Sequence, residues 1–345
     1  MSQAVSLPKP IQEFPWRVVV PLVALIAFGA AVLHSAAGGS FSPYASSHIM
    51  RFGLFLIMAL VMSYFPQGWA KFAAFPVYIS VLLLLIAVET IGAMGGGSQR
   101  WIEFGPMRLQ PSELMKPAIV LVLAAYFASL PFGMIASVRA IVIPAILMAL
   151  PMGLVLMQPD LGTTLAIAFG GAVVLFLAGL SAKWFIGGGI AGLIAAPIAF
   201  FFGLADYQQR RVTTFIDPES DPLGAGYHIT QSKIAIGSGG LTGKGFGEGS
   251  QSQLDYLPEP HTDFVFATMA EEWGLLGGLL VLLIFGMILR WGLIVAREAQ
   301  DRFSRLLAAG MTATIFFYVA VNLMMVMGMA PVVGIPLPFM SHGGS

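Results

Sequence analysis

The feature that most constrains this chain is a series of nine long apolar runs. They lie near residues 18–37, 49–65, 74–94, 116–131, 140–157, 162–180, 184–204, 266–289 and 306–329. A bilayer core about 30 Å thick needs roughly 20 apolar residues in a helix, so each run is a candidate span. The runs are about twice as long as membrane β-strands and lack alternating polarity, which leaves helices as the spanning structure. The predicted fold class is therefore all-α, a polytopic integral membrane protein with nine spans.

Composition excludes several other classes of protein. The 345 residues are 57% hydrophobic and 10% charged, which is not the balance of a water-soluble domain. Equal numbers of acidic and basic residues, 17 of each, indicate no nucleic-acid partner. The absence of cysteine excludes disulfides and thiol chemistry. The glycine-rich stretch 237–250 lacks the spacing of a Walker motif, and no nucleotide site is predicted.

The distribution of basic residues predicts the orientation of the spans. Lys and Arg collect in the connections that an internal N-terminus would place in the cytoplasm: Lys9, Arg17, Lys71, Arg139, Lys183, Arg290, Arg297, Arg302 and Arg305. The positive-inside rule then puts the first 17 residues in the cytoplasm and the polar loops 95–116 and 205–265 on the outer face. We interpret residues 1–345 as one transmembrane domain, with its large outer loop between spans seven and eight.

Four charged residues fall at the outer ends of spans: Arg51, Glu113, Lys116 and Asp160. Charge inside a membrane is costly, so each position needs an explanation. Snorkelling with mutual ion pairing is one, and convergence on a shared polar cavity is the other. Two interpretations also remain for the glycine-rich stretch: it is a flexible loop, or it is a segment whose backbone amides approach a phosphate.

Acidic residues also concentrate where the large loop meets the eighth run. Asp255 and Glu259 lie in a proline-bounded approach and are interpreted as surface or acceptor-binding groups, whereas Glu271 and Glu272 are expected to pair with basic residues of neighbouring helices. Asp263 alone stands at the junction of the loop with an apolar segment, where partial desolvation suits a general base. Its alternative role is to cap the helix. His261 and Asp263 make a poor metal pair, so His261 is expected to position the loop.

Four stretches carry a family resemblance that spans nearly the whole chain. They are GSQRWIEFGPMRLQPSELMK (97–116), QPDLGTT (158–164), the region 210–274 with SQLDYLPEPHTDF, and GIPLPFMSHGGS (334–345). These stretches resemble the SEDS family, and SQLDYLPEPHTDF favours its elongation branch. Family members have ten helices, so the resemblance implies that the last helix is absent from this chain. His342 stands where the family often has Tyr, a change expected to matter little.

The resemblance implies an inverting peptidoglycan glycosyltransferase. Its substrate would be lipid II, an undecaprenyl-diphosphate-linked disaccharide, polymerised on the outer face of the bacterial inner membrane for elongation and rod shape. The implied partners are a class B penicillin-binding protein and other membrane proteins of the elongation complex. The family's catalytic aspartate maps onto Asp263. Cavity residues of the family map onto Arg51, Glu113, Lys116 and Asp160, and its first outer loop motif maps onto Trp101, Gln110 and Ser112.

The chemistry of that reaction requires cations for a diphosphate leaving group rather than a general acid. The candidates are Arg51, Lys116, Arg210, Arg211, Lys233 and Lys244. A divalent ion, Mg²⁺ or Mn²⁺, could bridge the diphosphate, held mainly by substrate phosphates and one or two carboxylates. One base suffices for a single inverting displacement.

A membrane protein with many spans and buried charges could also have one of two other functions. One is a flippase or transporter of the same lipid-linked precursor. The sequence shows no inverted repeat, and its polar groups collect on one face rather than at the midplane, which disfavours this function. The other is a non-catalytic scaffold of a cell-wall complex, for which changing one outer carboxylate should have no effect.

Overall fold

The computed structural model describes residues 15–95, 98–104, 107–135, 137–203, 206–217, 224–254, 256–257 and 259–343. The predicted spans are found as the helices α1 (Trp16–Ala36), α2 (Tyr44–Met62), α3 (Gln67–Ile91), α4 (Pro111–Ser129), α5 (Val138–Met157), α6 (Leu161–Leu177), α7 (Ala182–Phe202), α11 (Val265–Glu298) and α12 (Arg302–Val326). Within the described part of the chain, eight helices are long and apolar enough to cross a membrane, and α6 is a shorter apolar helix. The prediction of a polytopic helical membrane protein is confirmed.

The two predicted outer loops contain regular structure that the apolar runs did not indicate. In the first, strands β1 (Ala93–Gly95), β2 (Ser98–Phe104) and β3 (Met107–Leu109) pair antiparallel in the order β1-β2-β3. Helix α4 then begins at Pro111, so Glu113 and Lys116 lie in its first turns rather than in a loop. The second contains α8 (Asp206–Ile216), α9 (Ala225–Ser238) and the short α10 (Ser250–Gln253). A turn of 3₁₀ helix (Phe132–Met134) connects α4 to α5.

Helices α4 and α12 form the centre of the bundle. Helix α4 packs against α3, α6 and α12, and α12 also packs against α11, which in turn contacts α1. One apolar cluster fills the space between α3, α4, α5 and α6, and another lies between α1, α9, α11 and α12. Apolar side chains elsewhere on the helices are exposed, as on α2 and α7, which suits surfaces that face lipid.

Helix α11 is broken at Gly274, and the break determines where its first nine residues point. Gly274 has φ 62° and ψ −159°, a backbone conformation that glycine adopts at little cost. The interruption leaves peptide groups without helical partners, and residues 239–249, here called the glycine-rich segment, supply them. Leu275 and Leu276 donate their N–H groups to the carbonyls of Gly240 and Leu241, at 2.9 and 3.1 Å. The segment is thus an integral part of the helix break.

The break requires unusually close backbone approach. A Cβ atom on Gly243 would lie 2.0 Å from the carbonyl oxygen of Glu272, and one on Gly239 would lie 2.0 Å from that of Ala270. Lys244 and Gly245 donate N–H groups to the carbonyls of Glu271 and Glu272, at 3.0 and 3.1 Å. The glycines of this stretch therefore allow backbone contact with α11, which favours neither interpretation made from the sequence, a flexible loop or a phosphate cradle.

The orientation inferred from basic residues gives a direct labelling prediction. The sequence has no cysteine, so single cysteines can be introduced at Leu254 and Gln300, which are both exposed. In intact cells, a membrane-impermeant thiol reagent should label position 254 and should reach position 300 only after permeabilisation. Labelling of position 300 alone in intact cells would reverse the topology and move the site described below to the cytoplasmic side.

Candidate functional site

A buried polar cluster lies between the beginning of α4 and the C-terminal half of α12. Lys116 donates to a carboxylate oxygen of Glu113 at 2.6 Å and also to the hydroxyl of Tyr318 on α12. Lys116 is almost fully buried, as is Tyr318. Because an unpaired charge in such a place is costly, the Lys116–Glu113 pair holds both side chains in one arrangement.

Asp160 connects this cluster to a second one. Its carboxylate accepts the N–H of Thr163 at 3.0 Å, so it caps the N-terminus of α6. It is close enough to Glu113 and Lys116 to interact with both electrostatically. It interacts in the same way with Asp263, which belongs to another part of the chain. Asp160 therefore stands between the buried Lys116 cluster and the loop that precedes α11.

Arg100 on β2 holds the segment that carries Asp160. Its Nε donates to the carbonyl of Gln158 at 2.8 Å and its Nη2 to the carbonyl of Pro159 at 2.7 Å. Its Nη1 lies 3.8 Å from Oδ2 of Asp160. A guanidinium can make several such bonds at once because its donors form a rigid fork. The small sheet of the first outer loop is thereby attached to the beginning of α6.

Asp263 is held through its backbone by α12. Asn322 of α12 donates to the carbonyl of Asp263 at 2.9 Å and to that of Ile335 at 2.7 Å. The N-cap position of α11 is occupied by Phe264, without a side-chain cap hydrogen bond, so the capping role considered for Asp263 is not found. Burial raises the pKa of the Asp263 carboxyl to about 6; Glu259 and Asp160 add to the increase, and Arg211 opposes it.

His261 and Arg51 belong to a cluster beside Asp263 rather than to the Lys116 cluster. The ring of His261 stacks on Tyr44 with centroids 4.1 Å apart, and His342 meets the edge of the same tyrosine. Arg51 donates to the carbonyl of Gly343 at 2.7 Å. Burial lowers the pKa of His261, and burial followed by the charge of Arg51 lowers that of His342 to about 4. Both rings are therefore neutral near pH 7 and shape the loop by packing.

The remaining predicted site residues belong to several different elements. Arg211 on α8 interacts with Asp263, whereas Arg210 is exposed. Lys233 lies against Gly328 at the end of α12, and Lys244 is paired with Glu271.

Trp101 is opposite Ala93 in the sheet, and Gln110 donates to the hydroxyl of the buried Ser112 at 3.1 Å. Asp255 lies outside the described residues.

An apolar groove of about 540 Å³ opens beside these charges. Its walls come from α6 and α12, with residues such as Leu165, Phe169, Phe317 and Val321. Pro159, Gln208 and Arg211 also line it, and Asp160 follows Pro159 directly in the chain. The groove can hold an apolar chain next to a polar site that contains both carboxylates and cations.

Sequence reasoning missed three residues that organise this site. Arg100 lies within a motif that was recognised, but its role depends on carbonyls 58 and 59 positions away in the chain. Tyr318 and Asn322 lie four residues apart on α12, so they share one helical face. That spacing of two polar side chains in an apolar run was the available signal for them.

Known proteins resemble this chain over nearly its whole length. A family model described as FTSW_RODA_SPOVE, cell cycle protein, matches residues 16–345. The peptidoglycan glycosyltransferase MrdB of Escherichia coli strain K12 is 46% identical over 333 residues, which cover 94% of this chain and 87% of MrdB.

Two solved structures share the fold. A chain of a peptidoglycan synthase complex that coordinates polymerization and crosslinking superimposes with a TM-score of 0.82 and 32% identity, covering 96% of this chain and 93% of that one. The rod shape determining protein RodA of Thermus thermophilus superimposes with a TM-score of 0.71 and 30% identity, covering 96% of this chain and 91% of RodA. The chain therefore belongs to the FtsW/RodA/SpoVE family of polytopic membrane proteins, the SEDS family that its motifs resemble.

Proposed function

We propose that this protein is an inverting peptidoglycan glycosyltransferase that polymerises lipid II on the outer face of the bacterial inner membrane, for elongation and rod shape. The observation that carries the proposal is the position of Asp263. Its partly buried carboxylate, with a pKa raised to about 6, interacts with the Arg211 cation, which also lines an apolar groove. The resemblance to a protein named peptidoglycan glycosyltransferase supports the same reaction.

The groove suits the isoprenoid part of such a substrate. Its apolar walls on α6 and α12 would cover a section of the undecaprenyl chain, and Arg211 at its edge would meet the diphosphate. Burying apolar surface stabilises this arrangement, and the cation favours the dianionic group. The sugar attached to the diphosphate would then lie toward Asp160 and Asp263, which interact electrostatically with each other.

Asp263 would act as the general base. The hydroxyl oxygen of the acceptor sugar attacks the anomeric carbon of the donor, its proton passes to the Asp263 carboxylate, and the bond from that carbon to the diphosphate breaks. The diphosphate leaves as an anion, so it needs no proton from a general acid. A base with a pKa near the working pH combines a useful fraction of the charged form with sufficient basicity.

A divalent cation fits this site only together with the substrate. Among the described residues, no group of three or more His, Cys, Asp and Glu side chains could hold a metal ion. Asp160 offers a carboxylate oxygen whose cationic neighbour Arg100 is 3.8 Å away. We propose that Mg²⁺ or Mn²⁺ is held by the substrate diphosphate with Asp160, and that it supplies charge neutralisation for the leaving group. The ion would act on the leaving diphosphate, and it takes no part in the proton transfer to Asp263.

The proposed partners follow from the product and from the related complex. Newly made strands need crosslinking, for which a class B penicillin-binding protein in the same membrane is suited. A related chain occurs in a complex that coordinates polymerization with crosslinking, which supports this assignment. We propose that other membrane proteins of the elongation complex are also partners. The N-terminus of this chain is proposed to lie in the cytoplasm. A flippase of the same precursor is the alternative, but the described charged residues that converge lie near one end of the bundle.

Replacing Asp263 with Asn tests the base directly. Asn preserves the shape but accepts no proton under these conditions, so polymerisation of lipid II by the protein with its class B partner should fall by about 10²- to 10⁴-fold. Asp301→Asn is the matched control. Asp301 caps the N-terminus of α12, at the end of that helix away from Asn322 and Asp263, and Asn is also a good cap. Near-wild-type activity of a folded Asp263→Asn protein would contradict the assignment. If the wild-type protein has no polymerase activity and the Asp263→Asn variant loses flipping of the precursor, the transporter is favoured.

Chelation tests the cation. Excess EDTA should abolish polymerisation, and Mg²⁺ or Mn²⁺ added beyond the chelator should restore it, because the ion neutralises the leaving diphosphate. Asp160→Asn should raise the concentration of cation needed for half-maximal rate. Unchanged activity in excess EDTA would exclude the metal while leaving the role of Asp263 intact.

Arg100 is expected to act through Asp160. Arg100→Lys keeps the charge but loses the fork that holds the carbonyls of residues 158 and 159, and a displacement of about 1 Å at a catalytic site can cost about 10²-fold in rate. We therefore expect Arg100→Lys to lose nearly as much polymerisation activity as Arg100→Gln. Arg108→Lys is the control, since Arg108 is exposed and pairs with Glu103 in the same sheet. Full activity of Arg100→Lys would show that only its charge matters.

A further inference from the structure

The beginning of α11 is a separate short helix that carries the loop of Asp263. Residues 265–273 precede the break at Gly274, and Asp263 lies directly before them. Because Gly274 interrupts the helix, the long remainder of α11 cannot by itself fix the direction of this half-helix. Contacts of the half-helix with other parts of the chain must do so.

The half-helix carries an ion pair between Glu271 and Lys244. Nζ of Lys244 lies 2.6 Å from Oε1 of Glu271, and the Glu271 side chain is completely buried. The same carboxylate accepts the N–H of Gln251 at 3.1 Å and the hydroxyl of Ser250 at 3.2 Å. Lys244 also donates to Ser250, at 2.8 Å. A charged side chain of the half-helix is thus fully occupied by the glycine-rich segment and the turn after it.

Backbone contacts around this pair tie the same two parts together. The N–H of Lys244 donates to the carbonyl of Glu271 at 3.0 Å, so the lysine contacts this residue through both its main chain and its side chain. A Cβ atom on Gly249 would lie 3.0 Å from Oε2 of Glu271, so the segment lies close against the carboxylate. These contacts leave the ammonium group committed to the helix break rather than to the cavity.

We infer that Lys244 is a positioning residue for the glycosyl transfer. By neutralising the buried Glu271, it holds the half-helix 265–273 against the glycine-rich segment and so keeps Asp263 beside Asp160 and Arg211. This inference rests on the proposed function and assigns Lys244 a different role from the diphosphate contact expected from the sequence. It also explains a lysine within a glycine-rich stretch whose other residues permit close backbone approach.

The two roles of Lys244 differ in their kinetic effects. Loss of a diphosphate contact weakens substrate binding, so KM for lipid II should rise. Loss of positioning should leave KM nearly unchanged and lower kcat, by about 10²-fold if the carboxylate moves by about 1 Å. Lys244→Met should therefore act on kcat, and Lys244→Arg, which keeps a charge for Glu271, should keep most of it.

A second substitution at Glu271 sharpens the test. Lys244→Met leaves a buried carboxylate without its cation, which is the costly condition for an ion pair. Adding Glu271→Gln removes that charge, so the double variant should recover about tenfold in kcat relative to Lys244→Met. A diphosphate contact predicts no recovery, because a neutral amide at position 271 cannot replace the lost cation. Lys183→Met, at an exposed position beginning α7, controls for loss of a lysine.

Spin labels provide a readout that does not need activity. In this cysteine-free chain, labels at Tyr256, which is exposed seven residues before Asp263, and at Gln300 report the position of the loop relative to the far end of α11. The distance distribution should be narrow in the wild type and in Lys244→Arg and broad in Lys244→Met. A raised KM with an unchanged distance distribution would overturn the inference. A wild type with ordered labels but no polymerase activity would instead contradict the proposed function.

Discussion

The structure depends on the way in which the chain provides hydrogen-bond partners for the peptide groups of a helix broken at Gly274. Buried peptide groups that lose their helical partners must find others, because an unpaired buried peptide group is costly. Here the glycine-rich segment donates to the carbonyls of Glu271 and Glu272 and accepts from Leu275 and Leu276. The break can therefore persist, and the half-helix before Gly274 turns its N-terminal end toward α12. The position of Asp263, and so the proposed reaction, follows from that arrangement.

Buried charges around the site are held in pairs that link different helices. Lys116 joins Glu113 on its own helix to Tyr318 on α12, while Arg100 joins the first outer loop to the beginning of α6. Each side chain would be costly to bury alone, and pairing reduces that cost while fixing direction. The result is one polar region on the predicted outer side, next to an apolar groove that leads away from it. A substrate with an apolar tail and an anionic head matches that division.

Much of the fold could be predicted because the membrane imposes simple rules on apolar runs. The runs gave the positions of the helices, and the charges at span ends drew attention to Glu113, Lys116 and Asp160, which interact electrostatically with one another. Arg51 was expected there too, but it lies in the cluster of His261 and His342, because it donates to the carbonyl of Gly343. The break at Gly274 was invisible, since glycine is common within membrane helices. Glu271 was expected to pair with a basic residue of a neighbouring helix, but its partner Lys244 lies in the glycine-rich segment, a location that depends on the break and could not be foreseen.

The central claim is that Asp263 accepts a proton during glycosyl transfer, and the pH dependence of kcat/KM for lipid II tests it most directly. Only the ionised carboxylate is a base, and burial raises its pKa to about 6, so the rate should be constant at higher pH and fall tenfold per unit below that value. Asp263→Asn should remove this acid limb together with most of the rate. A wild-type profile with no decrease between pH 7 and about pH 4, the usual range of a solvated aspartate, would contradict a base in this environment.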